Sequence, residues 1–313
     1  MTGLELSRAF FETYGRPMLA EQSPHLLQQL AAGLLGSGSE CFGYDDLVSR
    51  DHDFEPGFCL FLPGEDVVDR RTAFLLERAY GRLPRKFEGV SRPLMQPVGG
   101  PRRGVLRTAE FFAEKIGSPD GSLTLSQWLT LPEHSLAECV NGEIYFDNRG
   151  DLTAIREALR YYPEDVRRKK LAGHLLLMAQ SGQYNYRRCL SHGETAAAQL
   201  AVGEFVKSTM SVVFLLNRTY QPYYKWGFRA MRALAKLPLT AELLEYLLTT
   251  DNDGETAEEK YDVMEGIAAD VIDELMAQEL TKATCGDLEK HAYSVNDGIS
   301  DPDLRNLHVL AAI

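Results

Sequence analysis

At 313 residues, with 44% hydrophobic and 25% charged side chains, the chain has an ordinary globular composition and a length suited to about two domains. Its formal charge of -12, from 45 acidic and 33 basic residues, disfavours a sequence-independent coat on DNA or RNA, which depends on attraction to phosphate. Five widely spaced cysteines with no C-x-x-C pair argue against a disulfide framework or a cysteine zinc site, and for a reducing compartment.

The first stretch, MTGLELSRAFFETYG, mixes acidic and apolar residues and lacks the pattern of a signal peptide. The longest apolar run, Val212–Leu216, is too short to span a bilayer. A cytoplasmic protein with no membrane partner is the expectation. Short apolar runs at Ala31–Leu35, Phe58–Leu62, Gly104–Arg107 and Glu143–Phe146 read as strands, with a helix over Val67–Tyr80. Pro84–Arg103, rich in proline and glycine, reads as an irregular loop. Near residue 150 the pattern turns helical. Asp151 or Thr153 caps a helix running to Arg160, and Pro163 sits in the first turn of the next, with Glu164 and Asp165 at its positive end. That helix is expected to stop at Ser181-Gly182, a third covers Glu194–Leu216, and a fourth begins near Tyr223. Tyr261, Met264, Ile267, Ala268, Val271, Ile272, Leu275 and Met276 follow i, i+3, i+4 spacing and read as core. Residues 1–150 are thus expected to form a mixed α/β domain, and 151–313 a helical domain.

Chemistry concentrates between residues 34 and 54. An apolar strand runs into Gly36-Ser37-Gly38-Ser39, and after eleven intervening residues Asp51-His52-Asp53 leads into another apolar run. In an extended strand, residues i and i+2 share a face, so Asp51 and Asp53 present two carboxylates together while His52 turns away. Paired carboxylates suit Mg²⁺, a hard cation often completed by substrate phosphates. A Gly-Ser turn supplies backbone N–H groups to the terminal phosphates of a nucleotide, and glycine lets the backbone approach them closely.

This arrangement resembles the signature of the DNA polymerase β-like nucleotidyltransferase superfamily, in particular its small-molecule branch typified by aminoglycoside adenylyltransferases. Gly38, Ser39, Gly43, Asp51 and Asp53 match that signature, and Ser49-Arg50-Asp51 carries one residue more than the usual Ser-Asp. The phrase GSECFGYDDLVSRDHDF is similar to a branch known only as containing a nucleotidyltransferase domain. The likeness extends through Tyr161–Val166, Gln180–Tyr186 and Tyr223–Trp226. It implies an α+β fold: an N-terminal nucleotidyltransferase α/β domain with a mixed sheet, followed by a C-terminal helical bundle, with the active site in the cleft between them. It further implies transfer of a nucleoside monophosphate from ATP or another nucleoside triphosphate to a hydroxyl acceptor, with one or two Mg²⁺ ions.

Two more features follow from the resemblance. The superfamily carries a third carboxylate on a later strand, and Gly104–Thr108 contains none. Asp147 is the choice here; Glu110 and Glu143 compete, and Asp147 opening the turn Asp147–Gly150 is the plain alternative. A helical-domain lysine over the phosphates would be Lys225, against a plain surface lysine beside aromatic rings. Gln180, Gln183, Tyr184, Asn185 and Tyr186 either line an acceptor pocket or finish a helix. Asp45 and Asp46 read as caps of the short helix after the Gly-Ser turn, ahead of a metal-holding role, Asp251–Gly254 as a polar turn, and Arg167-Arg168-Lys169-Lys170 as a solvated helix face. The acidic balance favours a small acceptor, such as a cationic aminocyclitol, over RNA or protein. The rival reading is a catalytically degenerate nucleotide-binding or antitoxin-like interaction protein.

Overall fold

The computed structural model describes residues 1–48, 54–92 and 102–313. Ser49, Arg50, Asp51, His52 and Asp53 lie outside the described residues, as does most of the expected loop after Arg92. The fold is α+β, with a mixed four-stranded sheet and a helical C-terminal region. Two compact units emerge, one formed by Met1–Leu123 and His134–Arg160, the other by Thr124–Glu133 and Tyr161–Ile313.

The first unit begins with α1 (Gly3–Phe10), a five-residue π-helical turn (Phe11–Gly15) and α2 (Arg16–Gln22). Thr2 and Glu5 close a capping box at the start of α1, satisfying two N–H groups that a helix leaves unpaired. There follow β1 (Ala31–Leu34), β2 (Cys59–Leu62), α3 (Arg70–Gly81), a small hairpin of β3 (Lys86–Phe87) and β4 (Val90–Ser91), β5 (Gly104–Arg107) and α4 (Thr108–Ile116). After α5 (Leu125–Thr130), α6 (Glu133–Val140) leads into β6 (Glu143–Asp147) and α7 (Asp151–Ala158).

The sheet order is β5-β2-β1-β6. β1 runs antiparallel to both β2 and β6, and β2 runs parallel to β5. Leu60 and Leu62 pack with Phe10, Phe11 and Phe58, whereas Phe61 on the opposite face meets Phe111 at 5.4 Å between ring centroids. Both faces of β2 are therefore covered, which is why it reads as an unbroken apolar run. Gly33 is obligatory in β1: a Cβ there would stand 2.4 Å from the Glu143 carbonyl oxygen.

The second unit continues with α8 (Glu164–Met178), an eight-residue π-helical segment (Ala179–Tyr186), α9 (Arg187–Ser191) and α10 (Thr195–Leu216). α11 (Tyr224–Met231), α12 (Thr240–Thr249), α13 (Gly254–Ala277), α14 (Leu288–Asp297) and α15 (Pro302–Asn306) complete it. The helix expected to stop at Ser181-Gly182 instead runs on with widened turns, and there Gly182 lies against the Phe205 ring, which a Cβ would meet at 2.4 Å. α10 has the length and apolarity of a membrane span, but 67% of its most apolar window is buried within the protein.

The basic run of α8 is not a solvated face. Arg167, Lys169 and Lys170 are buried. Arg167 Nε donates to the Leu215 carbonyl, Lys169 Nζ to Leu307 O and Asn296 Oδ1, and Lys170 Nζ to Leu129 O. One helix thus caps the carbonyl ends of several others with its cations. Burial lowers the pKa of all three from its ordinary value.

Candidate functional site

At the C-terminal end of β1 the chain turns sharply through Gly36, with φ +98°, and Gly38, with φ +128°. These are angles that only glycine adopts cheaply. A Cβ on Gly38 would also collide with the Glu40 carboxylate at 2.6 Å. Asn141 clamps the turn from both sides: Gly36 N–H donates to its Oδ1 at 2.9 Å, and its Nδ2 donates to Gly36 O at 2.8 Å. Beyond Ser39 a single 3₁₀ turn, Glu40–Phe42, ends at Gly43 in the left-handed region. Within the turn, the N–H groups of Ser37, Gly38 and Ser39 have no hydrogen-bond partner among the described residues. Successive backbone N–H groups without partners at a glycine turn are groups of the kind from which anion-binding sites are built.

Charged side chains surround the turn. Glu40, buried beneath it, accepts from Arg103 Nη2 at 2.9 Å, and Glu55 lies 3.4 Å from Arg103 Nη1. Burial raises the Glu40 pKa from its usual range despite Arg103. Burial works against the charge on Arg103 too, but Glu40 and Glu55 together outweigh it and hold Arg103 above its usual value. On the other side, Ser37 Oγ donates to Glu138 at 2.8 Å and accepts from Lys115 Nζ at 2.7 Å. Glu143 is held by Arg8. The thiols of Cys41, Cys59 and Cys139 are pushed up by burial, to about 11 for Cys59 and about 12 for Cys139, so they stay protonated and poor nucleophiles.

The strand register fixes which expected residues meet this turn. β1 ends where β2, β5 and β6 begin: Gly33 pairs with Cys59, Cys59 with Gly104, and Leu34 with Glu143. Arg103 and Glu143 therefore flank the turn. Asp147 pairs with Ala31 at the other end of β1, roughly 13 Å along the strand from Glu143. Its carboxylate accepts from Gly150 N–H at 2.9 Å and Thr153 N–H at 2.8 Å, capping α7. It lines a cavity of about 210 Å³ with Asp66, Asp120 and Arg149. Glu110 is exposed in the first turn of α4, beyond the far end of β5. The structure brings neither acid to the Gly-Ser turn.

Elsewhere, Asp45 accepts from Gly3 N–H at the start of α1, and Asp46 from Val48 N–H. Lys225 is exposed on α11, its Nζ 5.2 Å from the Trp226 ring centroid. Gln180, Gln183, Tyr184 and Asn185 line a cavity of about 640 Å³ along the π-helical segment, with Glu265 and Asp287. Gln183 is fully engaged, donating to Glu265 and Gly286 O and accepting from Leu288 N–H. Tyr186 is buried instead, its hydroxyl on Asn252 and the Ala257 carbonyl.

Among the described residues, no group of three or more His, Cys, Asp or Glu side chains is arranged to hold a metal ion. Glu40, Glu138 and Glu143 each already face a cation. The described donors therefore do not fit Mg²⁺ by themselves, and a Mg²⁺ site would need Asp51 and Asp53. Sequence reading missed Asn141, Lys115 and Glu138. They act across 105, 78 and 101 residues, and no local motif marks them.

No curated protein matches the chain. A solved structure, that of a nucleotidyltransferase-like protein from Exiguobacterium sibiricum 255-15, is similar at 14% identity. The match covers 92% of this chain and 90% of that one, with a TM-score of 0.36, a likeness too slight to locate residues. Residues 128–227 match the model of a family described as a domain of unknown function, DUF4037.

Proposed function

We propose that the chain is a nucleotidyltransferase that passes a nucleoside monophosphate from a nucleoside triphosphate, ATP or another, to a hydroxyl acceptor. The observation that carries this reading is the Gly36–Ser39 turn, where three successive backbone N–H groups have no hydrogen-bond partner among the described residues. Gly38 and Ser39 would seat the terminal phosphates, and the Asn141 clamp would hold the turn ready before the nucleotide arrives. Asp51 and Asp53 would hold Mg²⁺, which supplies neutralisation of phosphate charge when bound. The acceptor hydroxyl attacks the α-phosphorus, the bond to the β-phosphate oxygen breaks in line, pyrophosphate leaves, and the hydroxyl proton passes to a nearby base. Such chemistry depends mainly on positioning and charge. Asp147 has no part in this reading, because its carboxylate is occupied in capping α7.

The acidic balance supports a small hydroxylated acceptor over RNA. The test is incubation with each α-labelled nucleoside triphosphate, Mg²⁺ and a panel of small polyols and amino sugars, followed by pyrophosphate release. Thermal shift with the same triphosphates runs alongside. Label transfer with a Mg²⁺-dependent rise in melting temperature is expected. Neither transfer nor any shift at millimolar nucleotide would overturn the reading in favour of an interaction protein.

A further inference from the structure

We propose that Lys115 is the cation that meets the nucleotide's terminal phosphates at the Gly36–Ser39 turn, an inference that rests on the transferase reading above. Lys115 lies in the last turn of α4, a helix whose Phe111 ring would meet a Cβ on Gly36 at 3.2 Å. The lysine stem itself passes 4.0 Å from the same point. Its Nζ is fixed by two anchors, Ser37 Oγ at 2.7 Å and Glu138 Oε2 at 2.7 Å. An ammonium carries three N–H donors; one goes to Ser37 Oγ, the Glu138 carboxylate balances the charge, and a donor is left without a partner among the described residues. The side chain is 16% exposed, so the remaining donor is within reach of a ligand while the stem is held in place.

These facts place a preorganised cation against the residue whose own N–H opens the row of unpaired backbone donors. A phosphate oxygen on that row would take the third donor as a charge-assisted hydrogen bond. Glu138 cancels the lysine charge while the site is empty, and it repels an anion once one arrives. The pair therefore makes two opposite demands on a phosphate ligand. Lys225 has no comparable anchors, since it is exposed and its ammonium rests by the Trp226 ring.

The experiment is calorimetric titration of the full chain with the Mg²⁺ complex of whichever of ATP, GTP, CTP or UTP gives the largest thermal shift. The matching nucleoside serves as control. Lys115→Met should bind the triphosphate about ten- to a hundredfold more weakly, the range for one lost hydrogen bond to a charged group, and the nucleoside as well as wild type does. Lys115→Arg should recover part of the loss, and Glu138→Gln should bind the triphosphate more tightly than wild type. Undiminished triphosphate binding by Lys115→Met, or equal losses for triphosphate and nucleoside, overturns the inference while leaving the transferase reading intact. If Lys115→Met does not fold, Glu138→Gln decides: tighter binding supports the role, and unchanged or weaker binding overturns it. A wild-type chain that binds no triphosphate removes the transferase reading and this inference together.

Discussion

Replacing Arg103 by Met tests the charge arrangement beneath the Gly-Ser turn. Arg103 and Glu40 side chains are 4% and 7% exposed, so water cannot take over the role of a missing partner. Methionine fills much of the arginine's volume but leaves a buried carboxylate uncompensated, which typically costs about 3–5 kcal/mol. For a unit of this size that corresponds to a fall in melting temperature on the order of 10 °C. The sign of the pH dependence follows from Glu40, whose pKa is raised by burial and pulled down chiefly by Arg103. A raised carboxyl contributes stability that is complete below its unfolded pKa and lost as pH climbs through its folded pKa. Removing Arg103 moves the folded pKa further up, so the deficit should be largest at the alkaline end and shrink on acidification as Glu40 takes a proton. Circular-dichroism melts across that range provide the assay, with Arg103→Met/Glu40→Gln as partner variant. The double variant should recover most of the loss. A single variant within about 1 kcal/mol of wild type, the level of an exposed pair, would refute the reasoning. So would a double variant less stable than the single.

Three further outcomes are expected. Asp51→Asn and Asp53→Asn should each lower nucleotide transfer by about a hundredfold or more without shifting the melting temperature, measured as label transfer, because each removes a carboxylate proposed to hold Mg²⁺. Near wild-type turnover in either would end the metal assignment. Asn141→Ala, which releases both hydrogen bonds on Gly36, should weaken triphosphate binding by about tenfold in titration calorimetry, and unchanged affinity would show that the turn holds its shape alone. Lys169→Met should cost about 2–4 kcal/mol in urea unfolding, since the Leu307 carbonyl and Asn296 amide lose their buried donor; an equally stable variant would contradict the capping role.

Much of the sheet was legible in the chain. Both faces of β2 are covered, so it appears as continuous hydrophobicity, and Gly104–Arg107 is a strand over the very residues expected. Strand polarity was not legible. Asp147 was chosen because it ends an apolar run, but β6 runs antiparallel to β1, and that direction carries its last residue away from the Gly-Ser turn. The Arg167–Lys170 run looked solvated because charge favours water. What overrides that preference is a set of carbonyls as distant in sequence as Leu215 and Leu307, which no local window contains. Ser181-Gly182 looked like a stop because both residues are weak helix formers. Gly182 lies against Phe205 of α10, a close approach that no local window contains. The Gly-Ser turn itself was plain, because glycine leaves its mark wherever φ turns positive, whereas Lys115 and Asn141 are ordinary residues in ordinary helical surroundings.

The π-helical segment between α8 and α9 also acts as a rotary joint. In an α-helix each residue advances the side-chain direction by about 100°. Eight residues wound more widely fall behind that count, so α9 does not present the azimuth that α8 would project onto it. The lag aims Arg187 at α13, where its guanidinium stacks 3.9 Å from the Tyr261 ring centroid and pairs with Glu258. Arg188, one step round, turns to Tyr184 instead. The length of the wide segment is therefore an angular setting: one residue more or fewer would swing both arginines through roughly a quarter-turn and detach α9 from α13.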